Sequence, residues 1–234
     1  MEYFLLSLVV VLTTLFIIVR VKTGGLYGLF TKILTSVGFV SLALYCSYVK
    51  GLTLVSLFIV LGLIFGLIGD ILLDLKIIYD QHNDEYLNAG MLSFGIGHLM
   101  YMGATIVYSN SIFVQNKDTL FLALIGIGFA GIVTIFIAVF GEKLLKLNFG
   151  KHKIQSLCYT FILSFMSAFS IVIALYKPIF LIFALGMLFI FISDLVLSVQ
   201  YFGEKKDSKL FTILNHAIYY IGQIAIAFSI LFIL

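Results

Sequence analysis

Apolar runs of 18 to 25 residues recur along the whole of this 234-residue chain, and no other feature narrows its fold as far. A helix crossing about 30 Å of hydrocarbon needs roughly 20 such residues, whereas a membrane-crossing strand needs only about half as many. Inside lipid every backbone N–H and C=O must be satisfied by the protein itself, so runs of this length fold as spanning helices. Eight runs qualify, at about 3–20, 26–49, 52–73, 87–109, 119–140, 154–176, 178–202 and 210–234. The expected fold is all-α: one polytopic transmembrane domain over 1–234. Composition agrees, since 62% of residues are hydrophobic and 11% charged, with a mean hydropathy of +1.20 that no water-soluble globular domain approaches. The first run carries Glu2 instead of a basic start and has no small-residue cleavage signature before Arg20–Lys22, so it reads as a retained helix.

The connections between runs are short, so the expected chemistry takes place within the bilayer or at its edge. A net charge of +3 gives no basic surface for a nucleic-acid partner. Cys46 and Cys158 fall in different runs and read as apolar thiols. No His/Cys/Asp cluster has ligand spacing, so neither a metal nor another cofactor is expected. The 20 glycines suit close packing of helices in lipid, and Pro178 stands at the start of the seventh run, where a helix accepts it. Tyrosines 3, 27, 48, 79, 86, 108, 176 and 201 fall at expected helix ends, the pattern of an interfacial belt.

With eight spans the odd-numbered connections share one side of the membrane. They carry Arg20, Lys22, Lys76, Lys143, Lys146, Lys151, Lys153, Lys205, Lys206 and Lys209, against only Lys50, Lys117 and Lys177 on the other. This bias puts both termini outside the cytoplasm, as in a bacterial cell membrane. Lys32 belongs to neither side, because it lies within the second run. At 1.5 Å of rise per residue, Asp70, Asp194, Lys32, Tyr159 and Asn215 all fall in the cytoplasmic half. His98, His216, Tyr219, Tyr220 and Gln223 fall near mid-depth or slightly deeper. A single hydrogen bond between helices contributes only about 0.6 kcal/mol, and Ser or Asn supplies it cheaply. An aspartate costs roughly 3 kcal/mol to insert, so two of them and a lysine at matching depth point to a functional site.

The third run contains Gly-Asp-Ile-Leu-Leu and the seventh Ser-Asp-Leu-Val-Leu. The fourth contains His98-x-x-Tyr101 and the eighth His216-x-x-Tyr219. Asp70 to Asp194 is 124 residues and His98 to His216 is 118, each close to half the chain. Duplication of a four-helix unit would leave this trace and would make the two halves parallel, setting the aspartates face to face across an axis along the membrane normal.

The segments Gly66-Leu-Ile-Gly-Asp70, Gly90-x-x-x-Phe94-x-x-x-His98-x-x-Tyr101, Phe191-Ile-Ser-Asp194-x-x-Leu197 and Tyr219-Tyr-x-x-Gln223, in this order on eight runs, resemble the YhhN family. That family contains bacterial and animal lysoplasmalogenases. The resemblance implies hydrolysis of the vinyl-ether bond of a lysoplasmalogen, giving a fatty aldehyde and glycerophosphoethanolamine or glycerophosphocholine. Such a bond is cleaved by acid: a proton reaches the β-carbon, an oxocarbenium ion forms, water adds and the hemiacetal collapses. One carboxylic acid and one carboxylate divide this work, and Asp70 and Asp194 are the candidates. Lys32 or the basic loops at Lys143–Lys153 and Lys205–Lys209 are candidates for the lysophospholipid's phosphate. His98, Tyr159, Tyr219, Tyr220 and Gln223 are candidates to orient its glycerol or the water. The single-chain substrate would enter sideways from the leaflet.

Two rival readings use the same residues. Intramembrane aspartyl proteases pair two aspartates in Tyr-Asp and Gly-x-Gly-Asp motifs, but here the contexts are Leu67-Ile-Gly-Asp70 and Ile192-Ser-Asp194. A proton-coupled transporter would also place Asp, Lys and His in the membrane and could show a repeat. Against it, the third and seventh runs have no internal proline break and the polar layer favours one leaflet.

Overall fold

The computed structural model describes residues 1–112, 116–144, 146–203 and 208–234. It is 93% helical, with no strand among the described residues. Eight helices are long and apolar enough to span a membrane: α1 (Glu2–Lys22), α2 (Gly25–Lys50), α3 (Leu54–Ile78), α4 (Asn83–Ile112), α5 (Asn116–Leu144), α6 (Lys153–Tyr176), α7 (Leu181–Phe202) and α8 (Lys209–Ile233). Of the loop lysines, Lys205 and Lys206 lie outside the described residues.

Helix ends depart from the hydropathy boundaries for identifiable reasons. α3 begins at Leu54 because Thr53 caps it: its hydroxyl accepts from the Ser56 N–H at 3.2 Å, and the Ser56 hydroxyl accepts from the Thr53 N–H at 3.0 Å. At its other end α3 runs on to Ile78, past the expected exit at residue 73, because Asp74 is buried and ion-paired. α4 starts at Asn83, four residues before the apolar run, with Asp84 and Glu85 in the first turn, where carboxylates favour the helix dipole. α7 starts at Leu181, because Pro178 opens a separate 3₁₀ turn over Pro178–Phe180. Between α1 and α2 the chain reverses within Thr23–Gly24. Gly24 and Gly25 have φ of +61° and +53°, values that a side chain would strain.

The chain divides into two compact units. The first holds Met1–Ala104 and Gln223–Leu234, that is α1, α2, α3, most of α4 and the end of α8. Phe16, Phe39, Leu42, Ile59 and Leu63 are fully buried in it. α3 and α4 meet backbone to backbone, since a Cβ on Gly97 would lie 3.0 Å from the Gly62 carbonyl oxygen. This is the close approach that small residues permit in lipid. The Tyr101 ring lies against Gly62, and its hydroxyl donates to Gln223 Oε1 at 3.0 Å, tying α4 to α8.

The second unit holds Thr105–Gly222. α5 packs on α6 where Gly126 faces Phe165 and Phe169, whose rings stack at 5.5 Å. α7 and α8 approach at Gly222, where a Cβ would lie 2.8 Å from the Gly186 carbonyl oxygen. Gln200 donates to the Thr212 hydroxyl at 2.9 Å across the same pair of helices. Met166, Phe169, Ile173 and Phe183 are buried here.

Candidate functional site

In the first unit, the polar residues of three successive helices converge. Lys32 and Ser36 are four residues apart on α2, and Asp70 and Asp74 four apart on α3, so each pair shares one helix face. Arg20 lies in the last turn of α1. The Lys32 ammonium donates to Asp74 Oδ1 at 3.1 Å and lies 3.2 Å from Asp70 Oδ1. The Ser36 hydroxyl donates to Asp70 Oδ2 at 2.6 Å. The Arg20 guanidinium donates from Nη2 to Asp74 Oδ2. Side-chain exposure is 8% for Arg20, 4% for Lys32, 3% for Asp70 and 2% for Asp74, so the four charges are held away from water.

Two cations and two carboxylates balance, and that balance makes the cluster tolerable. Taking an ion out of water costs several kcal/mol, which is recovered only with close opposite charge and added hydrogen bonds. Local sequence supports the arrangement. Gly28, in the first turn of α2, leaves room for the guanidinium: a Cβ there would lie 3.1 Å from Arg20 Cζ. The Phe16 ring, one turn before Arg20, sits 5.4 Å from the same carbon, at cation–π range.

In the second unit, Asp194 of α7 is half-buried and accepts a hydrogen bond from the Tyr159 hydroxyl of α6. The preceding residue faces another neighbour: the Ser193 hydroxyl donates to Asn215 Oδ1 of α8 at 2.8 Å. A step of about 100° per helical residue separates the two directions. Tyr219 and Tyr220 are buried, with their rings 5.0 Å apart and steeply inclined.

The residues singled out by sequence thus fall into local groups. Lys32 joins Asp70, and Tyr159 joins Asp194. His98 is buried with its ring 6.0 Å from that of Tyr101, which in turn holds Gln223. Asp70 belongs to the first unit and Asp194 to the second. Run length and loop charge do not single out three participants: Arg20, which counts among the loop charges, Asp74, which lies just past the expected end of the third span at residue 73, and Ser36. The i, i+4 spacings of 32/36 and 70/74 were the available signal for two of them.

Among the described residues no group of three or more His, Cys, Asp or Glu side chains is arranged to hold a metal ion. The family model for the YhhN family matches residues 27–230 of the chain. No curated protein and no solved structure matches it.

Proposed function

Because the chain belongs to the YhhN family, we propose that it hydrolyses the vinyl-ether bond of a lysoplasmalogen. The observation that supports this reading is that each of two aspartates on membrane-spanning helices is oriented by a donor from a neighbouring helix. Asp70 is held by Ser36 and Lys32, and Asp194 by Tyr159. Oriented carboxyls in a low-dielectric surrounding are what general acid–base cleavage of this bond requires.

In the proposed reaction a carboxylic acid delivers a proton to the β-carbon of the alkenyl chain, and the C–O carbon becomes an oxocarbenium ion. The other carboxylate stabilises that cation and takes a proton from the water that adds to it. The hemiacetal then breaks its bond to the glycerol oxygen, giving the fatty aldehyde and a free glycerol hydroxyl. One water is consumed, and no redox step occurs. Asp70 and Asp194 divide the two roles. His98, Tyr219, Tyr220 and Gln223 are the proposed side chains for orienting the glycerol or the water.

Purified protein in detergent should release aldehyde from a lysoplasmalogen, read by coupled oxidation of the aldehyde. Asp70→Asn and Asp194→Asn should each lower turnover by about 100-fold or more while the protein stays folded. An inactive wild type, or full activity in either variant, would remove the proposal. Ligand flux into liposomes without bond cleavage would instead favour a transporter.

A further inference from the structure

We propose that Asp74 is a positioning residue: it keeps the Arg20 guanidinium engaged so that the Lys32 ammonium stays on Asp70. This inference rests on the reading of Asp70 as a working carboxyl, but the arrangement itself can be tested without that reading.

Asp74 is the hub of the cluster. It accepts from Arg20 through Oδ2 and from Lys32 through Oδ1, whereas Asp70 receives Lys32 at Oδ1 and Ser36 at Oδ2. Asp74 stands one turn beyond Asp70 on α3, so the two carboxylates share one helix face and the Lys32 ammonium lies between them. Arg20 Nε is buried with no acceptor among the described residues, so the guanidinium has a donor left for a second carboxylate.

Without Asp74 the cluster would hold two buried cations and one carboxylate. A guanidinium binds a carboxylate with a planar fork and is more weakly hydrated than an ammonium, so Arg20 would compete for Asp70 and displace Lys32. Asp70 would then point its oxygens towards α1 instead of holding the orientation set by α2. The role of Asp74 is to partition the two cations, and it needs no contact with substrate.

Removing both members of the outer pair should undo the damage. Arg20→Gln with Asp74→Asn leaves Lys32, Ser36 and Asp70 with one cation and one carboxylate, again balanced. In the aldehyde-release assay, Asp74→Asn should lower kcat by about 30-fold or more with KM within about threefold of wild type. The double variant should recover to within about fivefold of wild type. Wild-type kcat in Asp74→Asn, or a double variant no better than Asp74→Asn, would overturn the proposal. If Asp74→Asn does not fold, the double variant decides: recovery supports the role and a folded but inactive protein refutes it.

A second measurement needs no substrate. A membrane-permeant amine reagent with peptide mass spectrometry reads the reactivity of Lys32 directly. Labelling should rise severalfold in Asp74→Asn and return to the wild-type level in the double variant. Equal labelling in wild type and Asp74→Asn overturns the proposal. If the labelling pattern appears in a protein that releases no aldehyde, the enzymatic reading fails and the positioning role stands.

Discussion

Replacing Lys32 with methionine removes the ammonium shared by Asp70 and Asp74 while keeping most of the side chain's volume. Each contact, at 3.1 and 3.2 Å, corresponds to about 5 kcal/mol of attraction at an effective dielectric of about 20. Against this stands the several kcal/mol no longer spent on desolvating the lysine. The balance is set by what remains: two buried carboxylates facing one guanidinium. Breaking a buried pair by removing one partner typically costs about 3–5 kcal/mol. At about 2–4 °C per kcal/mol for a chain of this size, Lys32→Met should melt about 6–20 °C below wild type. Adding Asp70→Asn restores neutrality, with Arg20 left on Asp74, so the double variant should lie within about 1–2 kcal/mol of wild type. The two residues would then show a coupling of at least about 1 kcal/mol, since the double variant loses less than Lys32→Met alone. Thermal melting in a mild detergent, followed by far-ultraviolet circular dichroism, reads this cycle, and the result does not depend on any enzymatic activity. A Lys32→Met protein melting within about 2 °C of wild type would refute the reasoning, as would a double variant that loses the sum of the two singles.

Tyr159→Phe deletes the hydroxyl that donates to Asp194. Melting should shift by the equivalent of about 1 kcal/mol, and aldehyde release should fall by roughly ten- to a hundredfold; unchanged turnover would detach this tyrosine from the proposed chemistry. The loop-charge asymmetry predicts that both termini lie outside the cytoplasm, in which case reporters that act only in the cytoplasm should stay silent when fused at either end. Activity at either terminus would reverse that orientation.

Much of the fold was legible because lipid leaves the backbone so few choices. All eight spans were foreseeable from run length, and several of their ends moved where side chains intervened: the Thr53–Ser56 cap, the 3₁₀ turn at Pro178 and the ion-paired Asp74. The last case is instructive. Run length puts the end of the third span at residue 73, just before this carboxylate, because hydropathy prices each charge as if it stood alone. Paired with Arg20 and Lys32, Asp74 is instead buried, and the helix continues to Ile78.

The sequence by itself determined the class of fold, the number of spans and the short list of polar residues too costly to sit in lipid without a use. It also determined which side chains share a face, since Lys32 with Ser36 and Asp70 with Asp74 follow from the helical repeat alone. Only the tertiary structure decided who meets whom. Arg20 and Asp74 are 54 residues apart in the chain, Lys32 and Asp74 42, and Tyr159 and Asp194 35. The rotation of each helix about its axis is set by packing against its neighbours, at contacts such as Gly28 on Arg20 and Gly62 on Tyr101. Hydropathy is nearly blind to that rotation, because in this chain apolar residues line the helices on almost every side.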